Sequence, residues 1–141
     1  MEKICPTCAA DPTSHSFKKI SEKNGVVLFY AHPGRAKLYQ DSDGIYAHVD
    51  RALAALNGRK WSCIIDGDGF EMKHAAEVSL GRMLIELFMK KYAATAQDIR
   101  IINPSWHMEG LIKIGEMALK PEQLQKIKLM DDRKRSVLEF L

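Results

Sequence analysis

The chain has 141 residues, of which 46% are hydrophobic and 28% are charged, and its formal net charge is +3. A chain of this length forms one domain that buries most of its apolar surface without disulfides. The mild charge does not by itself favour a nucleic-acid or membrane partner, and no apolar run approaches the ~20 residues that span a bilayer.

The N-terminal segment predicts a cytoplasmic protein that begins with a loose arm. It has no signal-peptide hydrophobic stretch, and three cysteines do not make a disulfide framework. Cys5 and Cys8 have the C-x-x-C spacing of redox and zinc sites. They precede any predicted strand, and His15 alone does not complete a set of zinc ligands. We therefore expect residues 1–24 to form a flexible arm without a metal site.

Residues 25–141 are predicted to alternate strands and helices. Short apolar runs bounded by turn residues predict four strands: Val26–Tyr30, Trp61–Ile65, Ile99–Ile102 and Ile127–Met130. Apolar positions at helical spacing and helix-start residues predict helices: about 45–57, 73–93 and 106–119, then Pro121 to Gln125, and finally 133–141. This alternation is typical of one α/β domain with a single, mainly parallel sheet covered by helices.

Two carboxylates follow the second predicted strand. Asp66 and Asp68 stand one residue apart, and such a pair at the carboxyl end of a parallel strand can hold Mg²⁺ and supply a nucleophile. The motif resembles the first motif of haloacid-dehalogenase-like phosphatases, with later motifs to be sought at Ser105 and at Asp131-Asp132. The alternative interpretation is a turn whose aspartates cap the next helix.

The predicted helix over about 106–119 is apolar around more than half of its circumference, which is wider than a helix with one buried face needs. Six of the seven methionines follow residue 71, and methionine suits a surface that repacks around a flexible ligand. The helix either fills the core or covers an apolar ligand.

Three further segments occur in a specific order along the chain. Ser62–Gly69 is a strand that ends in Asp-x-x-Gly, Ile101–Pro104 is an Ile-Asn-Pro junction, and Leu119–Ile127 has the pattern Leu-x-Pro-x-x-x-x-Lys-Ile. With Val26–Tyr30 as the opening strand, this order resembles the CRAL-TRIO domain, the lipid-binding module of phosphatidylinositol-transfer and retinaldehyde- or tocopherol-binding proteins. The resemblance implies an apolar pocket with a sheet floor, a movable gate helix after the Asn-Pro junction, and a structural role for Asp66.

The function implied by this resemblance is the binding or transfer of a lipid or another small hydrophobic ligand, without enzymatic activity, cofactor or nucleic-acid partner. A membrane surface or a protein is a further expected partner. The residues expected to line the pocket lie on the long helix and on the gate: Leu84, Phe88, Trp106, Met108, Leu111, Ile112, Gly115 and Leu119.

Several departures from the family pattern limit this expectation. The helical bundle that precedes the domain in the family is lacking, and the sequence stops at Leu141, before the family's Leu-Pro…Gly-Gly segment. Where members that bind an inositol headgroup have a lysine near the end of the gate, this chain has Glu116, and Leu84 aligns near their glutamate. An anionic phosphate would be repelled there, so phosphatidylinositol is not expected to bind in the usual way. A protein-interaction module with a filled core remains the alternative, because Asn103–Trp106 resembles the His-Pro-Thr-Trp junction of divergent scaffold members.

Overall fold

Five strands form one sheet in the computed structural model, which describes residues 5–141. They lie in chain order across the sheet: β1 (Phe17–Lys23), β2 (Val26–Ala31), β3 (Lys60–Asp66), β4 (Ala96–Ile102) and β5 (Ile127–Met130). The first pair is antiparallel, and the other three pairs are parallel. The predicted fold class, α/β with a mainly parallel sheet, is confirmed.

Six helices accompany the sheet among the described residues: α1 (Pro6–Ala10), α2 (Ser42–Ala54), α3 (Met72–Ala75), α4 (Val78–Glu86), α5 (Trp106–Glu116) and α6 (Pro121–Leu124). Side-chain caps begin α2 and α5. The Asp41 carboxylate accepts a hydrogen bond from the Gly44 amide at the start of α2, and Ser105 Oγ accepts one from the Met108 amide at the start of α5. None of the helices described in residues 5–141 has both the length and the apolar character needed to cross a bilayer.

The two faces of the sheet bury clusters of different size, because alternate residues of each strand point to opposite sides. Neighbouring parallel strands joined in sequence send their crossover helices to one face. That face carries the main core, which joins Phe29, Trp61 and Ile101 of the sheet to side chains of α2, α4 and α5. The opposite face carries a small cluster around Ile64, against which Phe140 packs.

Regular structure begins earlier than the sequence predicts. Residues 17–23, expected to belong to a loose arm, form β1, and Pro6–Ala10 form α1. β1 was not predicted because it is a charged edge strand, and a bulge between Lys19 and Ser21 breaks the alternation of buried and exposed residues. Asn24 and Gly25 have positive φ angles and form the two-residue hairpin turn that joins β1 to β2. Residues 1–4 of the predicted arm lie outside the described part of the chain.

Three predicted helices differ in extent. The helix predicted over 73–93 is divided into α3, α4 and a π-helical turn at Leu87–Lys91. The buried ring of His74 accepts a hydrogen bond from the Glu71 amide at the start of α3 and packs edge-on against Tyr39. The backbone leaves the helical conformation at Glu77, which has φ −81° and ψ 59° and separates α3 from α4. The helix predicted over 106–119 is α5, which ends at Glu116, and the final helix predicted over 133–141 is a short 3-10 turn at Val137–Phe140.

Candidate functional site

The Asn-Pro junction between β4 and α5 contacts the loop after β3. Asn103 has a positive φ of 49°, a conformation that asparagine tolerates better than most residues. A side-chain carbon at Gly67 would lie 2.8 Å from the Asn103 carbonyl oxygen and 2.8 Å from Pro104 Cα, so only glycine allows this approach. Two of the segments that carry the sequence resemblance therefore pack directly on each other and set where α5 begins.

Asp66 holds this junction together through hydrogen bonds. Its carboxylate accepts from the Tyr30 hydroxyl at 2.7 Å, from Asn103 Nδ2 at 3.1 Å and from the Asp68 amide at 3.0 Å. Burial, together with the hydrogen bond to Asp66, raises the pKa of Tyr30, so this hydroxyl stays protonated and donates at neutral pH. These three hydrogen bonds give the buried Asp66 carboxylate a structural role. The geometry does not favour the phosphatase hypothesis, which needs Asp66 free to attack phosphorus.

An apolar cavity of about 130 Å³ lies between the main face of the sheet, α4 and α5. Isoleucines of β3, β4 and β5 form its floor: Ile65, Ile99, Ile101 and Ile127. Its walls and roof come mainly from the two helices. Glu116, at the end of α5, is the one ionisable side chain of the lining besides Tyr39, and burial raises the pKa of Tyr39 so that it stays neutral.

The volume of the cavity limits what fits in this conformation. An apolar cavity of ~150 Å³ accepts a molecule of the size of benzene, so the cavity seen here holds a short hydrocarbon fragment and not a full acyl chain.

Five of the eight residues predicted to line a pocket border this cavity: Leu84, Phe88, Met108, Leu111 and Ile112. Gly115 and Leu119 border a neighbouring groove between α4 and α5 instead. Trp106 lies outside both, with 72% of its surface exposed and its ring stacked on His107. The binding role of all eight residues stays a prediction.

Sequence reasoning missed part of the lining. Tyr39 precedes α2, and Phe70 follows the acidic loop; each contributes an aromatic wall, with ring centroids 6.1 Å apart. Phe70 stood next to the Asp66–Asp68 motif, and a large apolar residue after a polar turn was a usable signal. No local pattern marked Tyr39, because it lies in an irregular segment.

Two glycines allow α4 and α5 to approach each other closely. A side-chain carbon at Gly81 of α4 would lie 3.1 Å from Leu111 Cδ2, and one at Gly115 of α5 would overlap Ile85 Cδ1. The two helices thus interlock through Leu111 and Ile85.

Comparison with known proteins agrees with the sheet topology. The family model of the CRAL/TRIO domain matches residues 17–140. The crystal structure of Sfh5 superposes with a TM-score of 0.69 at 10% sequence identity, which covers 91% of this chain and 50% of that chain. The chain therefore spans about half the length of this structural neighbour, and at this identity the likeness concerns the fold. A search of curated protein sequences finds no match.

Proposed function

The chain belongs to the CRAL/TRIO domain family, which is a lipid-binding family in general, and we propose that it binds a small hydrophobic ligand in the cavity beneath α5. The observation that carries this proposal is the lining, to which the sheet, α4 and α5 all contribute apolar side chains. The match of the family model begins at β1 and ends in the last turn of the chain, so it includes every element that lines the cavity.

Binding of a full acyl chain requires α5 to move outward. The cavity is too small for such a chain, and α5 is weakly held, because Met108 is the single fully buried residue among its eleven. Each methylene transferred into the opened cavity would stabilise the complex by roughly 0.8 kcal/mol. Partition into an apolar space, with α5 as its gate, would be the mechanism.

Charge at the mouth of the cavity favours a ligand without a phosphate. The Glu116 carboxylate lies at the end of the gate, where it would repel an anionic headgroup. The proposed ligand is therefore uncharged at the end that faces Glu116, as in a fatty alcohol, an acylglycerol or an isoprenoid.

The outer face of α5 supports delivery of the ligand at a membrane surface. Trp106 and Ile114 lie on this helix and Met117 follows its last residue, and 72%, 51% and 87% of their surfaces are exposed. Tryptophan and long apolar side chains partition into the interfacial region of a bilayer. Contact with lipid would bury these side chains on the same element that must move.

A matched pair of variants on α5 tests the proposal. Ile112→Trp fills the cavity, whereas Lys113→Trp places the same ring at an exposed position of α5 that borders neither the cavity nor the groove. Transfer of a pyrene-labelled fatty alcohol from phosphatidylcholine vesicles would be measured by the loss of pyrene excimer fluorescence. We expect Ile112→Trp to weaken binding at least about tenfold, which is ~1.4 kcal/mol, and Lys113→Trp to change it less than about twofold.

The same experiment separates lipid binding from the alternative of an interaction module with a filled core. An interaction module predicts no transfer by the wild type and no extractable lipid in native mass spectrometry. Equal effects of the two variants would also contradict a ligand site beneath α5.

A further inference from the structure

Four potential metal ligands from three separate segments meet next to β1, the edge strand farthest from β5. Cys5 precedes α1, Cys8 lies on it, His15 belongs to the loop before β1, and His48 lies on α2. One donor atom from each of these side chains lies within 4.8 Å of all the others. His15 is 4% exposed, and the other three are half-buried.

Three of the six distances between the donor atoms match those of a tetrahedral site, and the other three are at most 4.8 Å. Cys5 Sγ lies 3.6 Å from His15 Nδ1, Cys8 Sγ lies 3.3 Å from His48 Nδ1, and the two Nδ1 atoms are 3.3 Å apart. With zinc–sulfur bonds of ~2.3 Å and zinc–nitrogen bonds of ~2.0–2.1 Å, a tetrahedron has edges of about 3.6 Å between sulfur and nitrogen and about 3.3 Å between nitrogens. The cluster is therefore already close to the geometry that zinc requires.

A carboxylate prepares His15 for metal binding. Asp41 Oδ2 lies 2.9 Å from His15 Nε2, and the neutral imidazole that donates its Nε2 proton to Asp41 has its Nδ1 lone pair facing the cluster. Metal-bound histidines are commonly oriented in this way. The other oxygen of Asp41 accepts from the Gly44 amide and caps α2, the helix that presents His48. One side chain thus positions both histidines.

We propose that Cys5, Cys8, His15 and His48 bind one structural zinc ion. Two thiolates and two imidazoles in a tetrahedron suit zinc better than harder cations such as Mg²⁺ or Ca²⁺. Four protein ligands close the coordination shell, which distinguishes a structural from a catalytic zinc site. This differs from the sequence expectation of a metal-free arm, which missed His48 because 33 residues separate it from His15.

The zinc ion would fasten the N-terminal segment to the wall of the apolar cavity. Phe17 follows His15 by two residues and stacks on Phe29 with ring centroids 4.9 Å apart. It also lies 6.0 Å from the ring of His48 and 6.4 Å from that of Phe88, which borders the cavity. The site therefore fixes the arm, β1 and α2 on the side of the domain opposite the gate.

The metal content of the untagged wild-type chain tests the site directly. We expect about one zinc per chain by inductively coupled plasma mass spectrometry after expression in zinc-supplemented medium. Replacement by Co²⁺ should give the intense visible d–d bands of a tetrahedral site and a thiolate-to-cobalt charge-transfer band. An iron content in place of zinc, or an intact mass lower by two hydrogens from a Cys5–Cys8 disulfide, would overturn the assignment.

Matched variants identify the ligands. Cys8→Ser and His48→Asn should lower the zinc content at least about fivefold, whereas Cys63→Ala and His107→Asn should leave it unchanged, since these residues lie outside the cluster. If the ligand variants fail to fold, the wild type still decides the question through titration of the chelator-treated protein with Zn²⁺ against a competing dye. Absence of saturable one-to-one binding in that titration would refute the proposal.

Discussion

Helices α2 and α5 cover the same face of the sheet, yet they are held there very differently. α2 buries three apolar residues, Ile45, Val49 and Leu53, whereas α5 buries Met108 alone. α2 is also tied to the turn after α4, where Lys91 Nζ donates to Asp50 at 2.8 Å. α2 therefore has more buried apolar surface than α5 to hold it against the sheet, and this difference agrees with the proposed opening at α5.

The largest expected effect compares the same truncation on the two helices. Leu53→Ala on α2 should lower the free energy of unfolding by about 2–5 kcal/mol, because it leaves a cavity in a fully packed site. Leu111→Ala on α5 should cost less than about half of that, since Leu111 is partly exposed and already borders a cavity. Urea denaturation of both variants measures the difference. Equal losses would mean that α5 is packed as firmly as α2.

Removal of the proposed zinc should destabilise the part of the domain that contains α2 and leave α5 unaffected. A ligand present at ~100 times its dissociation constant contributes about 2.7 kcal/mol to stability, so chelation should lower the Tm by at least about 5 °C. Hydrogen exchange should rise in residues 5–23 and in α2, while exchange in α5 stays unchanged. A rise in α5 of equal size would show that the two sides are not independent.

Two glycines of α5 provide a smaller, internally controlled effect. Gly110→Ala meets no atom within 4 Å and should stabilise the helix by roughly 0.5–1 kcal/mol. Gly115→Ala brings a methyl group onto Ile85 Cδ1, so it should fall short of Gly110→Ala by about 1 kcal/mol or more. Ile85→Val, which lacks that carbon, should restore part of the loss in thermal denaturation. Equal gains for the two alanines would mean that α5 already stands clear of α4.

An effect of similar size concerns charge at the end of α5. Glu116→Lys replaces repulsion by attraction and should strengthen retention of vesicles that contain phosphatidylinositol by about threefold to tenfold, or ~0.7–1.4 kcal/mol. Glu109→Lys makes the same change on α5 at a position that does not border the cavity. A flotation assay at fixed salt compares the two. An equal gain in both variants would indicate a general effect of net charge.

Local sequence patterns predicted most of the regular structure. Period-two and period-3.6 apolar spacing depends on neighbouring residues alone, so β2, β3, β4, β5, α2 and α5 were found close to their observed positions. β1 was missed because its pairing with β2, and not its own composition, makes it a strand. No proline or glycine marks the break between α3 and α4, so the non-helical backbone at Glu77 could not be predicted from local pattern.

The candidate site was predicted only in part, because local pattern does not specify how distant elements pack against each other. Leu111 and Ile112 fitted the pattern of an apolar helix, but which side of α5 faces the cavity depends on how the helix crosses α4. Trp106 looked equivalent in the sequence and proved to be exposed. The floor of Ile65, Ile99, Ile101 and Ile127 depends on the register of three strands, which local pattern does not specify.

The sequence by itself determined the alternation of strands and helices, the Asn-Pro junction that starts α5 and the acidic side chain at its end. Short-range sterics and periodic burial are sufficient for these features. Only the tertiary structure decided that Asp66 binds Asn103, that α5 covers a cavity and that His48 reaches Cys8 from 40 residues away. These depend on the packing of distant segments against one sheet, because neither a cavity nor a set of converging donor atoms exists until those segments meet.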